Sequence, residues 1–117
     1  MIKTIAILAA GGALALAFSM SRPAATVDGA QAQRLVEDGA TLLDVRTPAE
    51  FNGGHIPGAV NIPVGELAER LSELGDRDVP VVVYCRSGQR SGRAQKMLLA
   101  EGFAKVENLG ARTRWPQ

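Results

Sequence analysis

The 117-residue sequence contains one cysteine, one histidine, one tryptophan and one tyrosine, and aromatic residues make up 4% of it. A single cysteine cannot close a disulfide within the chain. One cysteine and one histidine do not supply a tetrahedral ligand set, so neither a metal nor any other cofactor is expected. Charge of one sign is also missing: the formal net charge is +1. Without a basic stripe or stacking aromatics, nucleic acid is not an expected partner. With 46% hydrophobic residues the chain is too apolar for disorder, and its length suits one domain with one modest core.

Long hydrophobic runs are absent except at the start. Lys3 is followed by the uncharged stretch Thr4 to Met20 and then by Ser21-Arg22-Pro23. A short positive start, an apolar middle and small residues near its end describe a secretory signal, with cleavage after Ala17 or Ser19. The rival is an uncleaved N-terminal anchor, although residues 4–20 as a helix reach only about 25 Å against a hydrocarbon core of about 30 Å. The expected organisation is therefore residues 1–25 as signal peptide or membrane anchor and residues 26–117 as the folded domain, exported to the periplasm or tethered at a membrane. Without Lys3 and Arg22 the remainder has 11 basic and 12 acidic residues, so any attraction for anions must be local.

Beyond a tether to Val27, Asp28 with Gln31 forms a capping-box pattern for a helix ending near Gly39. Thr41–Val45 reads as a strand, Thr47–Phe51 as a proline-initiated turn or short helix, and Ala59–Ile62 as a second strand. After Pro63 a helix is expected with Leu67, Leu71 and Leu74 on one face, stopped by Gly75. Val79–Tyr84 is apolar on both faces, as a central parallel strand requires. A helix carrying Ala94, Met97 and Leu98 follows, then the alternating strand Lys105–Leu109 and a basic tail, Gly110 to Gln117. This order predicts an α/β fold with a mostly parallel central sheet and helices on both faces.

Cys85 stands where the central strand gives way to a loop, Cys85-Arg86-Ser87-Gly88-Gln89-Arg90, with a helix directly behind it. A helix N-terminus presents unpaired N–H groups, and no acidic residue occurs between Cys85 and Glu101. Such surroundings favour a thiolate and attract anions. The reading requires N–H groups pointing at the sulfur, and a sulfur that bulk water can reach.

Three stretches carry a resemblance. Asp44-Val45-Arg46, Glu50-Phe51, Gly54-His55-Ile56-Pro57-Gly58-Ala59 and Asn61-Ile62-Pro63 resemble the N-terminal signature of the rhodanese homology domain. Val82 to Ser91 resembles its active loop, and Gly102-Phe103 with Val106-Asn108-Leu109-Gly110 its C-terminal stretch. The resemblance implies a rhodanese-like fold and a small single-domain thiosulfate sulfurtransferase. Cys85 would be the nucleophile and persulfide carrier, and Arg86, Ser87, Gly88, Gln89 and Arg90 would bind the substrate. The implied partners are a small anionic sulfur donor and a thiophilic acceptor, a thiol or cyanide. A protein that donates persulfide sulfur is a further implied partner.

Other polar residues are assigned structural roles. Asp44 is expected to fix neighbouring backbone, Arg46 to pair with Glu50, His55 to hydrogen-bond between glycine-rich turns, and Arg112, Arg114 and Trp115 to pack as a tail, with lining of the site mouth as their alternative. Two rival functions stay open. Related phosphatases and arsenate reductases place five residues between cysteine and arginine, whereas only Arg86-Ser87-Gly88-Gln89 separate Cys85 from Arg90 here. A non-enzymatic binding or regulatory module on the same fold is the other.

Overall fold

A computed structural model describes residues 25–117. The expected signal or anchor over residues 1–25 lies, but for Ala25, outside the described residues. Among the described residues no helix is long and apolar enough to cross a membrane.

Four strands, β1 (Thr41–Asp44), β2 (Val60–Asn61), β3 (Val81–Cys85) and β4 (Val106–Ala111), form one parallel sheet in the order β2-β1-β3-β4. The interior strands are the most completely buried, as a sheet covered on both faces demands. All five residues of β3 are buried. Strand alternation divides the core in two. Leu43, Val45, Val81, Val83 and Cys85 face helix α3 (Gln89–Ala100), where Ala94 and Leu98 cover them. Leu42, Val82 and Tyr84 face helix α1 (Gly29–Glu37), Ile56 and Trp115.

Local signals act as expected at most element ends. The Asp28 carboxylate accepts from the Gln31 N–H at 2.8 Å while the Gln31 side chain accepts from the Asp28 N–H, closing the capping box of α1. Thr47 caps the five-residue helix α2 (Pro48–Asn52), with Pro48 in its first turn. Thr26 and Val27, expected in the tether, belong to the domain. The Thr26 N–H donates to the Asn108 carbonyl at 2.8 Å, and the Asn108 N–H donates to the Thr26 hydroxyl at 2.7 Å.

The helix expected after Pro63 is instead two 3-10 turns, Val64–Glu69 and Leu71–Leu74. The spacing explains this. Val64 with Leu67, and Leu71 with Leu74, each lie three residues apart, which suits a helix of three residues per turn. The step of four from Leu67 to Leu71 is absorbed at Arg70, whose φ of −123° leaves helical geometry. All four side chains still pack on the α3 side of the sheet.

Candidate functional site

Parallel strands aim their carboxyl ends at one edge of the sheet, where an open α/β fold builds its crevice. Two interior strands end there in an anionic or potentially anionic side chain: Asp44 on β1 and Cys85 on β3.

The loop after β3 curls round the sulfur. Gly88, at φ +104°, turns the chain into α3; a side chain at that angle is strained. The turn brings the Gly88 N–H to donate to Cys85 Sγ at 2.9 Å, and the Ser91 N–H to donate at 3.4 Å. Ser91 Oγ lies 3.4 Å from Sγ and 3.1 Å from the Gly88 carbonyl oxygen. That hydroxyl has one hydrogen and two acceptors. With a neutral thiol it donates to Gly88 and accepts from the S–H; with a thiolate it turns to the sulfur. Burial pushes the Cys85 thiol up. The Ser91 hydroxyl and the N–H groups of Ser91, Gly88 and Ser87 outweigh that burial, and the thiol ends below its ordinary value.

The expected inward N–H groups are therefore present, but the expected access for water is not. Cys85 is 0% exposed. The same close packing that brings dipoles to the sulfur also covers it. Of the loop residues, Arg86, Ser87 and Gln89 are exposed and Gly88 is buried.

The arginines divide differently from the sequence expectation. Arg90, expected to hold the donor, is clamped by Glu50: its two terminal nitrogens donate to the two carboxylate oxygens at 2.8 and 3.0 Å. Arg90, then the Thr47 N–H, stabilises the Glu50 carboxylate and brings its pKa to about 2. Arg46, expected to pair with Glu50, pairs with Asp44 instead, at 2.6 Å. Asp44 has no exposure and can also accept from the Arg46 N–H at 2.9 Å, so a two-residue reach satisfies both backbone and guanidinium. Arg46 further donates to the Gly54 carbonyl at 2.8 Å and lies 5.7 Å from the Tyr84 ring centroid. Burial pushes the Tyr84 phenol up to about 12, and its oxygen accepts from the Ile56 N–H. His55 stacks on Phe51 at 3.6 Å with its Nδ1 2.9 Å from the Phe51 carbonyl oxygen, a structural placement.

A cavity of about 350 Å³ opens at this edge, lined by Arg46, Ala49, Glu50, Gly53, Arg86, Arg112 and Thr113. With the partners Asp44 and Arg90 included, four guanidiniums meet two carboxylates. The Arg86 side chain makes no hydrogen bond or ion pair among the described residues, and the Arg112 side chain donates only to the Gly54 carbonyl, at 2.6 Å. Excess positive charge thus sits beside the cysteine loop. Arg112 is the site residue that sequence reasoning assigned to tail packing. Strand register brings it here, since its neighbour Ala111 is the β4 partner of Cys85.

Residues 28–115 match the rhodanese-like domain family. The chain belongs to that family. Its relatives include the Bacillus subtilis protein YqhL, 47% identical over 77 residues that cover 65% of this chain and 60% of YqhL, less than two thirds of that protein's length. The Pseudomonas syringae thiosulfate sulfurtransferase GlpE is 39% identical over 92 residues, covering 74% of this chain and 86% of GlpE. Among solved structures, the human single-domain sulfurtransferase TSTD1 superposes with a TM-score of 0.67 at 30% identity, over 80% of this chain and 96% of that one. The fold is rhodanese-like, and single-domain sulfurtransferases are among the chain's homologues.

Proposed function

We propose that this rhodanese-like domain is a thiosulfate sulfurtransferase working through a persulfide on Cys85, with Arg86, Ser87, Gly88, Gln89 and Arg90 as the loop that receives the donor. The observation that carries this reading is the sulfur held by the Gly88 N–H at 2.9 Å, at the carboxyl end of β3, beside a cavity rich in arginine. In the first step the Cys85 thiolate attacks the outer sulfur of thiosulfate. A new S–S bond forms, the donor's own S–S bond breaks, and sulfite leaves with the electron pair. In the second step a nucleophile such as cyanide takes the outer persulfide sulfur and the Cys85 thiolate leaves. Each step conserves charge and needs neither a metal nor an external oxidant.

The lowered thiol pKa raises the thiolate fraction at neutral pH, but nucleophilicity falls with basicity, so this gain is partly cancelled. The larger contribution is electrostatic. A dianion must approach an anionic sulfur, and fixed N–H dipoles and guanidiniums oppose that repulsion without reorganising. Because Cys85 is covered, transfer further requires the loop to part far enough to admit one sulfur atom. The same burial favours a second reading, a binding module that performs no transfer. Thiocyanate formation from thiosulfate and cyanide by the full chain, compared with Cys85→Ser, separates the two. Activity in the wild type alone supports sulfur transfer; equal rates in both proteins exclude it.

We further propose that residues 1–25 either export the domain to the periplasm or tether it to a membrane. The support is their sequence pattern, a charged start followed by an apolar stretch. N-terminal sequencing of the protein from cells distinguishes a cleaved signal from an intact anchor. A native Met1 on protein in the soluble fraction excludes both.

A further inference from the structure

Resting on the sulfurtransferase reading, we propose that Arg112, together with Arg86, forms the seat for the donor's anionic head group, so that the site selects donors carrying sulfane sulfur on a compact dianionic sulfonate.

Strand register sets the two arginines beside each other. Cys85 and Ala111 are the last paired residues of β3 and β4. Neighbouring strands lie about 4.8 Å apart, so the next residues, Arg86 and Arg112, leave adjacent strand ends side by side. Both line the cavity of about 350 Å³. The 3-10 turn Arg112–Arg114 begins at once, which keeps Arg112 at this edge rather than carrying it away. Its Nη1 donates to the Gly54 carbonyl at 2.6 Å, which fixes the guanidinium. Arg46 donates to the same oxygen, so two guanidiniums converge on one neutral acceptor.

Charge then separates the four arginines of this region. Arg46 is answered by Asp44 and Arg90 by Glu50. Arg86 and Arg112 have no carboxylate partner among the described residues, and they are the two nearest in register to the nucleophile. A sulfonate between them accepts charge-assisted hydrogen bonds from both, and its outer sulfur is left to meet Sγ. Two uncompensated cations favour a dianion over a monoanion of similar shape.

The experiment uses the full chain as wild type, Arg112→Gln and Arg112→Lys, with Arg34→Gln as a control for loss of one exposed positive charge far from the cavity. Two donors are compared: thiosulfate, a dianion, and an aryl thiosulfonate, a monoanion whose outer sulfur is transferred with arylsulfinate as leaving group. For Arg112→Gln, kcat/KM with thiosulfate is expected to fall on the order of 30-fold, mainly through KM, and with the aryl thiosulfonate by about 5-fold. Arg112→Lys recovers part of the thiosulfate loss, and Arg34→Gln changes neither donor. Equal losses on both donors assign Arg112 to holding the Gly54 turn and overturn the proposal, as does no loss on either. Binding is read separately by calorimetry, titrating thiosulfate into Cys85→Ser with and without Arg112→Gln. An affinity at least about 10-fold weaker in the double variant supports the seat even where turnover is absent; equal affinity overturns it. Absence of turnover in the wild type together with that affinity difference counts against the transfer reading alone.

Discussion

The loops after β1 and β3 solve the same problem in opposite ways. Each follows an interior parallel strand, and each begins at a fully buried side chain that carries or can carry negative charge, Asp44 in one and Cys85 in the other. Asp44 is closed by a full cation two residues on, with Arg46 Nη2 at 2.6 Å. Cys85 is met by the N–H groups of Gly88 and Ser91 and one hydroxyl. A guanidinium in bidentate contact locks a carboxylate into the structure. Dipoles stabilise a thiolate without occupying it, and two nearby cations, Arg86 and Arg112, carry no carboxylate partner among the described residues. The first loop is built for rigidity, and the second leaves its anion available to react.

Removing either anion tests that division. Asp44→Ala leaves Arg46 charged and almost unexposed with no counter-ion, and is expected to cost about 3–5 kcal/mol of stability, read as a large fall in the chemical-denaturation midpoint. Cys85→Ser should leave that midpoint within about 1 kcal/mol of wild type while abolishing sulfur transfer. A stable Asp44→Ala protein, or an unfolded Cys85→Ser protein, breaks the contrast.

Gly88→Ala is expected to be next in size. Its φ of +104° is strained for alanine, at about 1–2 kcal/mol, although a Cβ would have room, its nearest contact being Gly110 Cα at 3.7 Å. Relaxing the strain displaces the N–H from the sulfur, so iodoacetamide titration should show the Cys85 pKa moving upward. An unchanged thiol pKa would mean that this N–H does not hold the thiolate.

Ser91→Ala sharpens the same point through pH. The folded Cys85 pKa lies below its ordinary value of 9.0, so transfer activity rises with pH and reaches half its plateau below that value. Loss of the hydroxyl should shift the rise to higher pH and reduce activity more at pH 7 than at pH 9. Any stability from the depressed thiol pKa follows the same sign: it is present above the unfolded value and lost as pH falls through the folded one.

The smallest effect belongs to the outer ion pair. The side chains of Glu50 and Arg90 are 28% and 30% exposed, so Glu50→Gln should cost no more than about 1 kcal/mol at neutral pH. The Glu50 pKa is lowered from 4.5 to about 2, so its contribution is complete above 4.5 and disappears as pH falls through about 2. Thermal unfolding of both proteins across that window should show two curves that merge at the acid end.

The parallel sheet and its central strand were legible because burial on both faces leaves a continuous apolar run, and Val79–Tyr84 has one. The cap at Asp28 and the proline start of the short helix at Pro48 were legible because both signals are local in sequence, whereas the Thr47 cap was found only in the structure. The leucines after Pro63 were placed on the correct face but in the wrong helix, since spacings of three and four suit both helix types until packing chooses. Charge pairing was the least legible. Glu50 lies four residues from Arg46 and 40 from Arg90, yet it takes the distant partner because Asp44 holds the near one. Arg112 reached the site through β-sheet register, which no local pattern encodes.

The most direct measurement is the intact mass of the full chain after exposure to thiosulfate. A gain of about 32 Da is expected, absent in Cys85→Ser and removed by a thiol reductant, as one sulfur atom on Cys85 requires. An unchanged wild-type mass, or the same gain in Cys85→Ser, would contradict it.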